Sequence, residues 1–416
     1  MKQFLFFVFL NGILLRNIRF FDILCLREKI EVLFGGDAGM NTKRNRKILS
    51  KGWGHFDIMH KDRRVARIYE SGRCTINFSS FLPYNLYLEK DDDFDTCVNN
   101  LNNFYYWCAS RILTLDRKYA KEILNSIGAI QAYTDRDRAD IALSYRAVSL
   151  MDVYWVKAKN DKKTFKEVSL YNHSLSNAFV DVSLRGRGLT VENNELVTTQ
   201  DQAGDIGTPG VAPKAWIREN GKFYLLKDGE ERDVDAEILA SKIIDCFNID
   251  HVVYEESEFD GTRVSKCEII TNEEKSIVAS EFIEIYCLNH NKDKIDFILQ
   301  KDKYSYYMMN VIDYLIGNVD RHWGNWGFIV NNKNNKPEKL YPLMDFNKSF
   351  MAYENIEGAV CQTTESRISQ KDAAIDAVKK AGLNQLREVD RAWFKDKKVE
   401  EMFFKRLALL KEINME

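Results

Sequence analysis

The chain has 416 residues, 45% hydrophobic and 29% charged, the proportions of a globular protein with room for two or three domains. A net charge of −2 excludes a global basic field of the kind that draws in nucleic acid. The eight cysteines include no Cys-x-x-Cys pair and have no histidine at ligand spacing, so reduced, mostly buried thiols in a cytoplasmic protein are expected, not a zinc site.

At the N-terminus, Lys2 precedes a strongly apolar run from Phe4 to Leu15, as in a signal peptide. No small-x-small cleavage site follows, and Arg16, Arg19 and Asp22 interrupt the run before it could span a bilayer, so a membrane role is not expected. Gly35-Gly36-Asp37 can be encoded by the ribosome-binding sequence GGAGGUGAU, with Met40 a few codons downstream. Residues 1–39 therefore read as translated leader ahead of a start at Met40, and residues 1–54 are set apart as an N-terminal extension.

Residues 55–194 read as an N-terminal domain and a connector. Phe56–His60 and Val65–Tyr69 flank the turn-like Lys61-Asp62-Arg63-Arg64, the pattern of a hairpin. Helical periodicity follows in Cys97–Ile112, Asp116–Ile127 and Asp135–Tyr145. The stretch Ser149–Asn177 carries no chemistry of its own and is taken as the connector.

A small lobe is expected over residues 195–285. The glycine-rich stretch Ala203–Lys214 would let backbone N–H groups approach phosphate oxygens, with Gly207, Gly210 and Val211 as the ATP-facing residues. A mobile linker is the bland alternative. Strands Ala215–Arg218 and Lys222–Leu226 then flank Glu219-Asn220-Gly221, a favoured tight turn. Lys227 ends the second strand, where a kinase lysine reaches the α- and β-phosphates. Ten residues on, Glu237 lies at the edge of a helical apolar face formed by Ile238, Leu239 and Ile243. It could pair with Lys227, or be an exposed acid near a helix N-terminus. His251–Tyr254 and Arg263–Ile270 read as strands, and Ser276–Ile283 as a strand leading out of the lobe.

The remainder, residues 286–416, reads as a helical large lobe. Helices Asp293–Gln300 and Tyr304–Ile316 lead to Asn318-Val319-Asp320-Arg321-His322-Trp323-Gly324-Asn325. Apolar runs at Phe328–Val330 and Leu340–Met344 around an asparagine-rich turn then read as a β-hairpin. Neighbouring strands lie about 5 Å apart, so Asn325 and Asp345 arrive together at the open end, with Asp320 just upstream. Three oxygen-bearing side chains suit a magnesium–phosphate site. Asp313 and Asn318 are expected to bond the loop backbone, and His322 to turn inward and brace it. Residues 347–371 are a candidate substrate-facing loop, while Asp372–Ala381 and Trp393–Ile413 read as core helices.

Asn-Val-Asp-Arg-His-x-x-Asn followed by Leu-Met-Asp-Phe resembles the catalytic and metal-binding loops of HipA-like kinases, bacterial Ser/Thr protein kinases related to the phosphatidylinositol kinases. The resemblance extends more faintly over residues 55–410. It implies an α+β, two-lobed protein-kinase-like fold with a small N-terminal α+β domain. It implies Asp320 as catalytic base, Asn325 and Asp345 as Mg2+ ligands, and ATP as phosphoryl donor. In that family the strand leaving the small lobe is the hinge, which would make Glu281 and Ile283 the backbone contacts of adenine. Asn347 replaces the glycine of the common Asp-Phe-Gly.

The expected partner is a protein substrate, with an aminoacyl-tRNA synthetase or another translation factor and a restraining antitoxin as options the resemblance opens. Direct nucleic-acid binding is not expected. Thr208, the one hydroxyl between Ala203 and Lys214, is the candidate autophosphorylation residue. A phosphatidylinositol-type lipid kinase and a catalytically silent nucleotide-binding regulator are the alternatives.

Overall fold

The computed structural model describes residues 54–115, 118, 120–126, 134–172, 213–351 and 353–415. The N-terminal leader and Met40 lie outside these residues, as does the glycine-rich stretch up to residue 212.

The first module is a sheet of order β3-β2-β1-β4. Strand β1 (His55–His60) pairs antiparallel with β2 (Arg63–Tyr69), β3 (Cys74–Ile76) flanks β2, and β4 (Tyr154–Ala158) flanks β1. Expected as part of a connector, the segment around Met151–Trp155 thus contributes the strand that closes this sheet. Its apolar alternation explains why: Tyr154 and Val156 enter the core on one face, while Trp155 joins Met59 and Val153 on the other. Helices α1 (Phe94–Ala109), α2 (Ala120–Ser126) and α3 (Asp135–Ser144) follow β3. Asp93 caps α1 by accepting the Thr96 N–H at 3.0 Å, and Thr134 with Asp137 forms a capping box on α3.

The second module is a sheet of order β5-β6-β8-β7, every pairing antiparallel. Strands β5 (Lys214–Glu219) and β6 (Lys222–Lys227) meet at Asn220 and Gly221, whose φ values of 51° and 80° are those of a two-residue primed turn. Helix α4 (Phe165–Val168) precedes Leu170, which packs with Leu150 against Trp216 and Phe223 of this sheet. Helix α5 (Glu231–Ile244) lies between β6 and the pair β7 (Glu255–Phe259) and β8 (Thr262–Glu268).

The third sheet has the order β11-β10-β9. Strand β9 (Lys275–Ala279) runs antiparallel to β10 (Gly327–Asn331), which forms the hairpin with β11 (Lys336–Leu340). The second strand stops at Leu340, short of the expected Met344. Leu343 pairs instead with the segment before β7, through Val252 N–H to Leu343 C=O at 2.8 Å and Leu343 N–H to Asp250 C=O at 2.9 Å. His251–Tyr254, expected as a strand, therefore makes only this short parallel bridge.

Helix α6 (Ser280–Asn289) follows β9 directly, and α7 (Lys294–Ile316) runs to the loop before the hairpin. The two helices expected over Asp293–Gln300 and Tyr304–Ile316 are the halves of α7, broken at Asp302 (φ −154°). The Asp302 carboxylate caps the second half through Ser305 N–H at 3.0 Å and also accepts Leu340 N–H at 3.0 Å. Helices α8 (Gln370–Ala381) and α9 (Lys397–Met415) close the core around the fully buried second half of α7. No helix among the described residues is long and apolar enough to cross a membrane.

The tip of the β10–β11 hairpin enters the first module. Asn335 (φ 55°), 5% exposed, donates to the Ser80 and Leu82 carbonyls at 3.0 and 3.1 Å. It accepts from the Tyr154 hydroxyl at 3.0 Å, and its own carbonyl accepts from Tyr84 at 2.8 Å.

Candidate active site

Lys227 ends β6 opposite Ser265 of β8 and points beneath the sheet, 8% exposed. Its amine donates to Glu237 of α5 and, at 2.7 Å, to Asp345. Glu237 is 1% exposed and also accepts from the Ser265 hydroxyl. It is therefore an interior partner of Lys227 and not a solvated acid. The buried residues of α5 are Val234, Ala236, Glu237, Ala240, Ser241, Ile243 and Ile244, so Ile243 is buried as expected while Ile238 and Leu239 are only half-buried.

Charge dominates this cluster. Burial works against the Lys227 ammonium, but Asp345 and Glu237 hold it protonated, well above the ordinary lysine value. Burial pushes the Glu237 carboxyl up against the pull of Lys227. Burial would raise Asp345 too, yet Lys227 and Lys214 keep its carboxyl well below the usual range.

The catalytic-type loop starts where Gly317 (φ 58°) ends α7; a Cβ there would lie 2.5 Å from Tyr353 Cδ2. Asn318 N–H donates to the Asp313 carbonyl at 3.0 Å. The Asn318 side chain then joins the two key aspartates, accepting Asp320 N–H at 3.1 Å and donating to the Asp345 carbonyl at 3.4 Å. Arg321, 3% exposed, pairs with the buried Asp313 at 2.9 Å. Its Nη1 reaches the Asn325 carbonyl at 3.1 Å and the Met344 carbonyl at 2.7 Å. One guanidinium thus ties together the two chain ends that carry Asn325 and Asp345.

Asp320 is half-buried; burial pushes its carboxyl up, His322 and Lys348 pull against this, and Asp345 adds to it. Asn325 is 7% exposed and donates its amide to the Asp320 carbonyl, while its Oδ1 is buried with no partner. That orphaned oxygen and the ionised Asp345 carboxylate are hard donors of the kind magnesium takes. Among the described residues no group of three or more His, Cys, Asp or Glu could hold a metal ion.

Asp345 has a left-handed backbone (φ 65°), which aspartate tolerates better than most residues. Phe346 beyond it is buried edge-on against Tyr254, 5.8 Å between ring centroids. Tyr254 also lies 5.0 Å from the Lys227 amine and accepts Asp345 N–H at 3.2 Å. Sequence reasoning missed Tyr254 and Ser265, because both act through contacts far apart in the chain.

Two expectations need correction. Glu281 and Ile283 are in the first turns of α6, not on a hinge strand. Glu281 N–H is taken by the Trp323 carbonyl at 3.0 Å, and Ile283 is fully buried. The chain passes between the second and third sheets at residues 269–274. His322 is exposed; it braces only its own turn, Nδ1 accepting Gly324 N–H at 3.0 Å, because Arg321 occupies the interior. Gly207, Thr208, Gly210 and Val211 lie outside the described residues.

No protein-family model matches the chain. A stretch of 70 residues is 37% identical to the serine/threonine-protein kinase CtkA of Helicobacter pylori strain J99, covering 17% of this chain and 21% of that one. The chain thus spans about a fifth of that relative's length. The structure matches the HipA–HipB–operator DNA complex of the Shewanella oneidensis toxin–antitoxin system, with a TM-score of 0.52 and 10% identity, over 87% of this chain and 99% of that one. It also matches the crystal structure of a Helicobacter pylori proinflammatory kinase, CtkA, with a TM-score of 0.41 and 16% identity, over 49% of this chain and 90% of that one. The fold is that of the HipA-like kinases.

Proposed function

We propose that the chain, a HipA-like kinase by fold, is an ATP- and magnesium-dependent protein kinase acting on serine or threonine. The observation that carries this reading is the Lys227 amine held between Glu237 and Asp345, on a frame that Arg321 extends to Asn325. A strand lysine fixed by a helical glutamate binds nucleotide phosphates in kinases. Asn325 and Asp345 are the residues that would hold Mg2+, which when bound offsets charge on the phosphate oxygens. Asp320 orients the substrate hydroxyl and takes up its proton, and its backbone is fixed for this by Asn318 and Asn325. Gly207, Gly210 and Val211 cover the phosphates in this reading, and Thr208 is the self-phosphorylation residue. The substrate is a protein, with a translation factor such as an aminoacyl-tRNA synthetase as the first to try. The Shewanella HipA is found with HipB, which supports testing for an antitoxin-like partner by co-purification.

The test is intact mass of the full chain after incubation with Mg-ATP, beside Asp320→Ala, together with labelling of cell proteins and of phosphatidylinositol vesicles by radiolabelled ATP. Phosphate added to protein by wild type alone is the expected result. Labelled lipid in place of protein would assign a lipid kinase, and bound ATP with no labelled acceptor would assign a silent regulator.

A further inference from the structure

The backbone around Asp320 is held from several sides. Its N–H donates to the Asn318 side chain, and its carbonyl accepts from the Asn325 amide and, at 2.8 Å, from His322 N–H. The two carbonyls before it are held by a different part of the chain. Gln370 Nε2 donates to the Asn318 carbonyl at 2.7 Å, and Gln362 Nε2 to the Val319 carbonyl at 2.9 Å.

The two glutamines are not equivalent. Gln362 is exposed, so water can take over its bond. Gln370, the first residue of α8, is 5% exposed and has both ends of its amide committed. Its Oε1 accepts Ala359 N–H at 3.0 Å while its Nε2 meets the Asn318 carbonyl. A backbone donor on one side and a backbone acceptor on the other admit only this orientation of the amide. The segment leading to it doubles back on itself, with Val360 bridged to Ser369 and Cys361 N–H donating to the Ile368 carbonyl at 2.8 Å. It is anchored on α7 independently of the loop: the Thr363 hydroxyl donates to the Asn310 side chain, and the Tyr306 hydroxyl to the Thr363 carbonyl at 2.9 Å. A small cavity separates segment and loop, lined in part by Asn310, Asp313, Asn318, Cys361 and Gln370. Packing therefore backs the Asn318 peptide only incompletely, and the Gln370 amide is the rigid link across the gap.

We infer that Gln370 is a positioning residue for phosphoryl transfer: its amide sets the Asn318 peptide, and Asn318 in turn fixes Asp320 for the acceptor hydroxyl. This rests on the kinase reading above. The nucleotide end of the site has anchors of its own. Lys227 holds the Asp345 carboxylate, Tyr254 accepts the Asp345 N–H, and Arg321 holds the Asn325 carbonyl. Loss of the Gln370 amide therefore acts on transfer and spares nucleotide binding.

The experiment compares full-length wild type, Gln370→Glu, Gln370→Met and Thr363→Val. Mg-ADP affinity is measured by calorimetry. The rate of transfer at saturating Mg-ATP is measured by intact mass of the chain and by radiolabelling of cell proteins. Gln370→Glu keeps the side-chain size and the acceptor for Ala359 N–H but sets a carboxylate against the Asn318 carbonyl; Gln370→Met removes both bonds without adding charge. Both are expected to bind Mg-ADP as wild type does and to transfer phosphate about 10–100-fold more slowly, the cost of a misplaced reacting group. Thr363→Val, which loosens the same segment from α7, is expected to keep the wild-type rate. An unchanged rate in both Gln370 variants, an equal loss of rate and affinity, or the same slow rate in Thr363→Val would show Gln370 to be only a support of the fold. Wild type that binds Mg-ADP but transfers phosphate to no protein would remove the protein-kinase reading itself, and this assignment with it.

Discussion

Arg321→Met is the sharpest test of how the site is held together. The wild-type guanidinium satisfies Asp313, 4% exposed, and the carbonyls of Asn325 and Met344. Methionine fills much of the same volume but leaves the buried Asp313 charge without its counter-ion, with the Asn318 amide still donating to it at 3.4 Å. Breaking a buried pair from one side costs about 3–5 kcal/mol, and the two stranded carbonyls keep the loss at the upper end. Replacing both partners, as Asp313→Leu/Arg321→Met, removes the stranded charge but not the two stranded carbonyls, so stability should return only in part. Nucleotide binding should not return with it, because the guanidinium that joins the carbonyls of Asn325 and Met344 is still missing. Denaturant unfolding gives the first quantity and calorimetry with Mg-ADP the second. A loss under about 1 kcal/mol for Arg321→Met, or a double variant that regains binding together with stability, would refute the reasoning.

Asn335→Ala removes the three side-chain hydrogen bonds between the hairpin tip and the first module, leaving the Tyr84 bond to its carbonyl, and should cost about 2–4 kcal/mol by the same unfolding assay. A cost near zero would mean that the tip is not clamped. Gly221→Ala meets no atom within 4 Å, so its cost is the backbone strain of φ 80° alone, about 1 kcal/mol; no loss at all would argue against the primed turn. Asp345, ordinarily near 3.8, is held below that value in the fold, so its contribution is complete above pH 3.8 and fades as pH falls further. The stability gap between wild type and Asp345→Asn should narrow on acidification from about pH 5 to about pH 3; a gap that is constant or widens contradicts the Lys227–Asp345 contact.

Features written in a few consecutive residues were legible before any coordinates. The Asn220-Gly221 turn and the break in α7 both depend on local chemistry. What escaped is decided by distant contacts. Ser276–Ile283 has the apolar, β-branched look of one strand, yet Ser280 N–H bonds to Trp326 and the helix begins there. Nothing near Tyr254 in sequence announces that its ring will lie beside Lys227 and its hydroxyl on Asp345. The edge position read for Glu237 was one residue class too cautious: the helix turns it fully inward because Lys227 and Ser265 are there to satisfy it.

The clamp on Asn335 also has a consequence for the order in which the chain matures. Its acceptors near Ser80 and its donor Tyr84 are made some 251–255 residues before Asn335 itself. The last strand of the first module, β4, ends at Ala158, so at about 5–20 residues per second that module has roughly 9–35 s to fold on the ribosome before the hairpin tip arrives to dock. Contacts of such separation form late. Asn325 and Asp345, at the other end of that hairpin, therefore lie on a ribbon whose tip is fixed only after both of its strands have been made.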